Sequence, residues 1–519
     1  MSQTAILVEI QLTGPAGEAV TLRLSDNAVR PFPPTDADRP NLVWDDRLDQ
    51  PPSLRRGLFD NFTSLTPALG VGAMTLKNGD RALDPYQSYG WGDVRVWRWT
   101  EGQTFAQAQS IYAGVCDMPG YNAAADSPAR VTVGLYDYRP ELGKPLQATT
   151  YAGGNGVGGV LYEGDATGLK GTVKPLAYGR LDNAHLPAPQ VNAGVRAYQL
   201  HDGAFAATEQ IFDRGDSAGL IDDGDLIGGA FDAATPAAAH YVTDPGRGLI
   251  KFNSAPVGTV TFGCRGDNNP TYQETTGPVL ARMLAKAGVP GGRIGASVAG
   301  LASTAIVGAW CADDTSASDV MAWVARSAPA ALLPGRDGVW GATAFGPPGL
   351  IAADTIREDE VISLQPDAAA PTPAGEVRVG WGRIWQTFEG SSLAPALKGT
   401  VSEEQLAVEY RYAKVESATA KARFPRAWTR IQIETALRIE ADATALANTL
   451  MATFGLRADG KPRRMWTVVL PLTAARLAID LGATVRLTYS PRGIDDLFLL
   501  VAEETLRPRR DQTTWTLWG

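Results

Sequence analysis

Glycine and proline cut this chain into pieces too short for a long helix or a rod. Fifty-six glycines and 35 prolines fall among its 519 residues. Between them stand short runs in which every second side chain is apolar, the period of a half-buried strand. Ile6–Leu12 and Val20-Thr21-Leu22-Arg23-Leu24 are the first two, and the Gly14–Gly17 turn between them reads as a hairpin. Further strands are predicted at Ala73–Leu76, Val94–Trp99 and Arg130–Tyr136. Pro31, Pro33, Pro34, Pro40, Pro51 and Pro52 cannot donate to a ladder, which places them in loops or at a sheet edge. Residues 1–150 therefore read as all-β.

From 151 to 180 glycine becomes dense (Gly153, Gly154, Gly156, Gly158, Gly159, Gly164, Gly168, Gly171, Gly179), which marks an irregular connection. Short strands resume at Ala197–His201, Leu249–Phe252 and Gly258–Phe262, giving a Gly-rich β module over 151–263. The period then changes. Val279, Leu280, Met283, Leu284 and Ala287 recur at helical spacing after Pro278 and before Gly288 and Pro290. A second helix is predicted over Asp319–Ser327, capped by Ser316 or Ser318, so that 264–360 reads as an α+β module. The last segment, 361–519, returns to strands at Glu376–Phe388, Trp466–Leu470, Thr484–Tyr489, Leu497–Val501 and Thr513–Trp518. One helix interrupts them, capped by Asp442 and stopped by Gly455. The fold class is mainly β with a smaller α+β part, in a multidomain chain.

Composition narrows the function. Hydrophobic residues are 44% and charged residues 20%, as in ordinary globular chains. A net charge of −9 gives no general support to nucleic-acid binding by counterion release. Cys116, Cys264 and Cys311 are odd in number and lack CxxC spacing, which argues against a disulfide framework or a zinc or iron–sulfur site. The N-terminal sequence reads as lacking a secretory signal, and no apolar run approaches the roughly 18 residues of a membrane helix, so a soluble protein made in a cytoplasm is expected.

No motif selects a catalytic, cofactor-binding or metal-ligating residue. His185, His201 and His240 have no metal-site spacing. His201-Asp202 resembles a dyad in sequence only, because neighbours on a strand point to opposite faces. Asp213, Asp216, Asp222, Asp223 and Asp225 supply enough oxygen for calcium but lack the EF-hand order, and hairpin turns account for them. Arg-Gly-Asp at 214–216 and 265–267 is read as chance in Gly- and Asp-rich loops. Tyr86, Tyr89, Trp91, Trp97 and Trp99 form either a sugar-stacking platform or part of a core or subunit interface, and core or interface is the favoured reading. Arg463-Arg464 and Arg507-Pro508-Arg509-Arg510 read as solvated hairpin tips.

Two stretches resemble a family of tailed-bacteriophage proteins, the baseplate or tail-tip hubs. The first runs from Pro51-Pro52-Ser53-Leu54-Arg55-Arg56-Gly57-Leu58-Phe59 through Gly72–Asn78 and Asp80–Asp84 to Lys174–Gly179, Asn183 and Tyr198–Gly203. The second is the order helix Asp442–Phe454, strand Met465–Leu470, Leu481–Leu487 and the closing Trp515-Thr516-Leu517-Trp518-Gly519. The resemblance implies a structural virion protein at the tail tip, with two barrel-like β domains, 1–150 and 361–519, flanking inserted modules, and a homotrimer whose paired barrels form a pseudo-sixfold ring. It implies distal tail or tube ring proteins above, a central fibre or tail-tip proteins below, and genomic DNA passing through the lumen without specific binding. Some such hubs hold an iron–sulfur cluster with four cysteines, which three scattered cysteines cannot supply. A receptor- or carbohydrate-binding tail protein is the alternative, with a distal tail ring protein or a cell-wall hydrolase behind it.

Overall fold

The computed structural model describes residues 3–122, 129–155, 159, 161–367 and 370–519. Gly156 and Gly158 of the glycine-dense stretch lie outside the described residues. The chain divides into two compact units, one of Met1–Glu141, Ala331–Pro373 and Ala452–Gly519, the other of Leu142–Ala330 and Ala374–Met451.

The first unit is organised by one fifteen-stranded sheet. Its main path runs Ser363–Pro366, Met465–Pro471, Gln512–Trp518, Ile494–Arg507, Leu48–Gly57, Val71–Lys77, Arg130–Tyr136, Gln109–Cys116, Gly90–Thr100, Thr4–Thr13, Ala19–Ser25, Asp45–Asp46. The path is open: among the described residues no pairing closes it into a barrel. The barrel-like segments 1–150 and 361–519 therefore contribute strands to one sheet, joined where Glu503, Glu504, Thr505 and Leu506 pair antiparallel with Gly57, Arg56, Arg55 and Leu54. Arg55 clamps Glu503 across that seam with two hydrogen bonds of 2.8 and 2.9 Å.

Local pattern explains the strands. Thr4–Thr13 buries both faces: Ile6, Val8, Ile10 and Leu12 pack with Val94 and Val96, while Ala5 and Leu7 turn to Phe32, Trp44, Trp97 and Trp99. The hairpin into Ala19–Ser25 closes as expected, with Gly17 at φ 86° and a Gly14 N–H to Glu18 carbonyl bond of 2.8 Å. Pro51 and Pro52 correct the loop-or-edge expectation, because their strand is interior, pairing on both sides. They fall where its ladder with Val71–Lys77 breaks register between Gln50 and Ser53, and on the other side pairing covers only Leu54–Gly57. A missing N–H costs nothing where no ladder bond is formed.

The second unit is built from smaller sheets. Five strands run Gln190–Asn192, Ala197–Gln199, Leu249–Phe252, His240–Asp244, Ile221–Asp225, and three run Asp216–Ser217, Phe205–Asp213, Val260–Asp267. Leu181, Leu186, Phe205, Ile250 and Phe262 centre its core. Helices Thr276–Lys286 and Ala317–Ala325 lie where helical spacing placed them, the second capped by Ser316, whose Oγ accepts the Asp319 N–H at 3.1 Å. Pro278 sits in the first turn, after Thr276, not at its first position. The last long helix spans Glu440–Phe454, so Asp442 lies inside its first turn. Its carboxylate accepts the Ile306 N–H at 3.1 Å instead of capping the helix.

Candidate functional site

His201 is buried, and its Nδ1 accepts the Ala177 N–H at 3.0 Å, leaving the ring proton on Nε2, 3.7 Å from Asp267. Asp202 instead accepts from Gln147 at 2.8 Å, so the two neighbours form no dyad. His185 lies against Phe212, ring centroids 4.2 Å apart, within hydrogen-bond reach of Thr261. Burial pushes both imidazoles down to about 4, which keeps them neutral.

The aspartate-rich segment is spread over separate turns and strands. Asp213 accepts the Val257 and Gly258 N–H groups, Asp222 accepts Gly224 N–H, Asp223 meets His240 at 2.6 Å, and Asp225 accepts from Thr243. Among the described residues no three His, Cys, Asp or Glu side chains converge as a metal site would require. The first Arg-Gly-Asp is a hairpin turn with Gly215 at φ 83°. The second lies within the strand Val260–Asp267, where Asp267 pairs with Arg282 and Arg265 with Glu209.

Trp97 and Trp99 are 7% and 5% exposed and pack edge-on against Trp44 and Phe32. Trp91, Tyr86 and Tyr89 pack partly buried against the opposite core, the Trp91 N–H bonding the Tyr86 carbonyl at 3.1 Å. Trp97 and Trp99 are therefore packing residues, while Tyr86, Tyr89 and Trp91 pack on the core with part of each side chain exposed. Arg507, Arg509 and Arg510 flank a tight turn and line, with Pro51 and Pro52, an open groove of about 630 Å³. Arg463 departs from the solvated-tip expectation, since its guanidinium donates to the Ala452 carbonyl at 3.0 and 3.2 Å. The three cysteines are buried thiols, Cys116 and Cys311 pushed up to about 12 by desolvation.

The second unit also carries a concavity that no local sequence signal announces, a cavity of about 300 Å³ walled by Trp310, Trp323 and Trp385, with Arg383, Asp313 and Asp319 on its lining. Trp310 comes from the strand Gly308–Cys311 and Trp323 from the helix Ala317–Ala325. Trp385 is fixed by backbone bonds, its own N–H to the Ala184 carbonyl at 3.0 Å and the Gln386 N–H to His185 at 3.1 Å. The Trp323 and Trp385 rings stand edge to face, 6.4 Å apart at 85°. The Arg383 guanidinium lies 5.5 and 5.1 Å from their centroids and pairs with Glu409 at 2.8 Å. All three tryptophans are only half-buried, and the Trp310 indole N–H is covered without a protein acceptor.

No family model matches the chain, and no curated protein is significantly similar to it. Among solved structures, the tail protein from Neisseria meningitidis MC58 aligns over 99% of this chain and 96% of its own at 8% identity, with a TM-score of 0.38. The 43 kDa tail protein of prophage MuSo2 from Shewanella oneidensis aligns over 98% of both chains at 9% identity, with a TM-score of 0.39. These structural neighbours are tail proteins, at TM-scores below the level at which two chains share one fold. No helix among the described residues is long and apolar enough to cross a membrane.

Proposed function

We propose that the chain is a structural virion protein, the tail-tip or baseplate hub of a tailed bacteriophage, which closes the tail tube and connects it to the central fibre without catalysing a reaction. The observation that carries this reading is the weaving of both ends of the chain into one sheet through the Leu54–Gly57 and Glu503–Leu506 ladder. Pulling the N- and C-terminal strands apart requires rupture of that ladder and of the apolar layers on it, which suits a part that transmits force. Leu350 and Ile351, adjacent and 88% and 89% exposed in the same unit, are apolar side chains of the kind an assembly covers. The net charge of −9 suits a lumen through which DNA passes without adhering.

On this reading 1–150 and 361–519 are the two hub domains and 151–263 and 264–360 the inserted modules. Three copies form the pseudo-sixfold ring, with tube or distal tail rings above and the central fibre below, at the tip of the virion's tail. The test is the solution mass of the full chain, alone and with co-expressed tail-tube subunit, with imaging of any ring. A trimer near three times 55.0 kDa, or a ring capping a tube, supports the proposal. A monomer indifferent to tube protein refutes it.

A further inference from the structure

We infer that the concavity walled by Trp310, Trp323 and Trp385 is a binding site for one pyranose ring of a glycan. A tryptophan side chain buries some 150–250 Å² when packed in a core. Here three remain incompletely buried around one hollow, and a ligand that presents an apolar face would cover what is left exposed. The polar rim restricts the ligand further. Asp313 commits one oxygen to the Thr315 N–H and hydroxyl at 3.1 and 2.6 Å, and Asp319 commits one to the Ser316 hydroxyl at 2.6 Å, so each keeps a second oxygen as acceptor. Arg383 supplies donors.

Other ligand chemistries fit worse. An anion would face two carboxylates. A purely apolar ligand would strand the rim groups without solvent or partner. A quaternary ammonium would meet a like charge, since the Arg383 guanidinium lies 5.5 and 5.1 Å from the Trp323 and Trp385 centroids. A pyranose matches all three features, since its C–H face stacks on indole while each hydroxyl both donates and accepts. About 300 Å³ stands at the lower end of ligand pockets, enough for one ring with the rest of the glycan in solvent. The walls are held by a strand, a helix and a backbone-bonded segment, so little ordering is left for binding. A ligand of this size binds with Kd about 1 mM.

The inference does not depend on the hub assembly, and its test uses the purified full chain labelled with 5-fluorotryptophan. Fluorine spectra are recorded during titration with the methyl glycosides of glucose, galactose and mannose, with N-acetylglucosamine, and with tetramethylammonium as the cationic probe. The expected result is a saturable shift, with at least one sugar, confined to the signals of Trp310, Trp323 and Trp385, each assigned by a single Trp→Phe change. Trp323→Ala should weaken that binding at least about tenfold. Asp313→Asn, a surface change that leaves the aromatic walls intact, should also weaken it if Trp323→Ala fails to fold. Absence of any shift with all four sugars, a shift that survives Asp313→Asn undiminished, or a response to tetramethylammonium alone would overturn the assignment.

Discussion

Glu504→Met should unsettle the first unit far more than the double change Arg336→Met with Glu504→Met. Glu504 is 2% exposed, and its carboxylate accepts two 2.7 Å bonds from Arg336 Nη2, one of 3.2 Å from Nε and one of 3.3 Å from the Trp515 indole. The Arg336 side chain, 10% exposed, also donates to the Leu477 and Ile479 carbonyls. Removing the carboxylate leaves a buried guanidinium with two neutral acceptors, a loss of about 3–5 kcal/mol. Removing both charges for side chains of similar volume is close to neutral, within about 2 kcal/mol. At about 2–4 °C per kcal/mol for units of this size class, the single variant should melt roughly 6–20 °C below the parent and the double variant much nearer to it. Near-ultraviolet circular dichroism reports the transition through buried Trp515. A single variant within about 1 kcal/mol of the parent, or a double variant as damaged as the sum of the singles, would refute the reasoning.

Acid should weaken the second unit in a defined window. His185 and His201 have folded values of about 4 against 6.5 when unfolded, so between those limits the unfolded chain takes up protons that the folded chain refuses. Stability is full above pH 6.5 and falls by at most about 3 kcal/mol per histidine as pH drops to 4, and His201→Asn, which keeps an acceptor for the Ala177 N–H, should flatten that slope in thermal melts. Gly266→Ala should cost about 1–3 kcal/mol in the same assay, because its new Cβ would stand 2.4 Å from the Ala177 carbonyl oxygen, whereas Gly291→Ala meets open space and should be near neutral. The native chain should not react with a thiol-specific disulfide reagent until it unfolds, since all three cysteines are buried and their thiols held protonated; rapid labelling of the folded protein would contradict this.

What the sequence determined by itself is local. Period-two alternation over Arg130–Tyr136 and Thr484–Tyr489 located those strands to the residue, because the side chains that make a strand half-buried lie within the strand itself. The Ser316 cap was legible for the same reason, donor and acceptor being three residues apart. Partnership was not. Nothing near Leu54 specifies a partner more than 400 residues away, so the sheet that joins the two ends, and the interior place it gives to Pro51 and Pro52, emerged only from tertiary pairing. The Asp442 carboxylate was read as a cap from its own neighbourhood, yet a distant N–H, that of Ile306, claims it. The tryptophan concavity is the clearest instance. Trp310, Trp323 and Trp385 come from a strand, a helix and a connecting segment with no common spacing, while Trp97 and Trp99 of the conspicuous cluster went into the core, because burial depends on what the rest of the chain packs against each face.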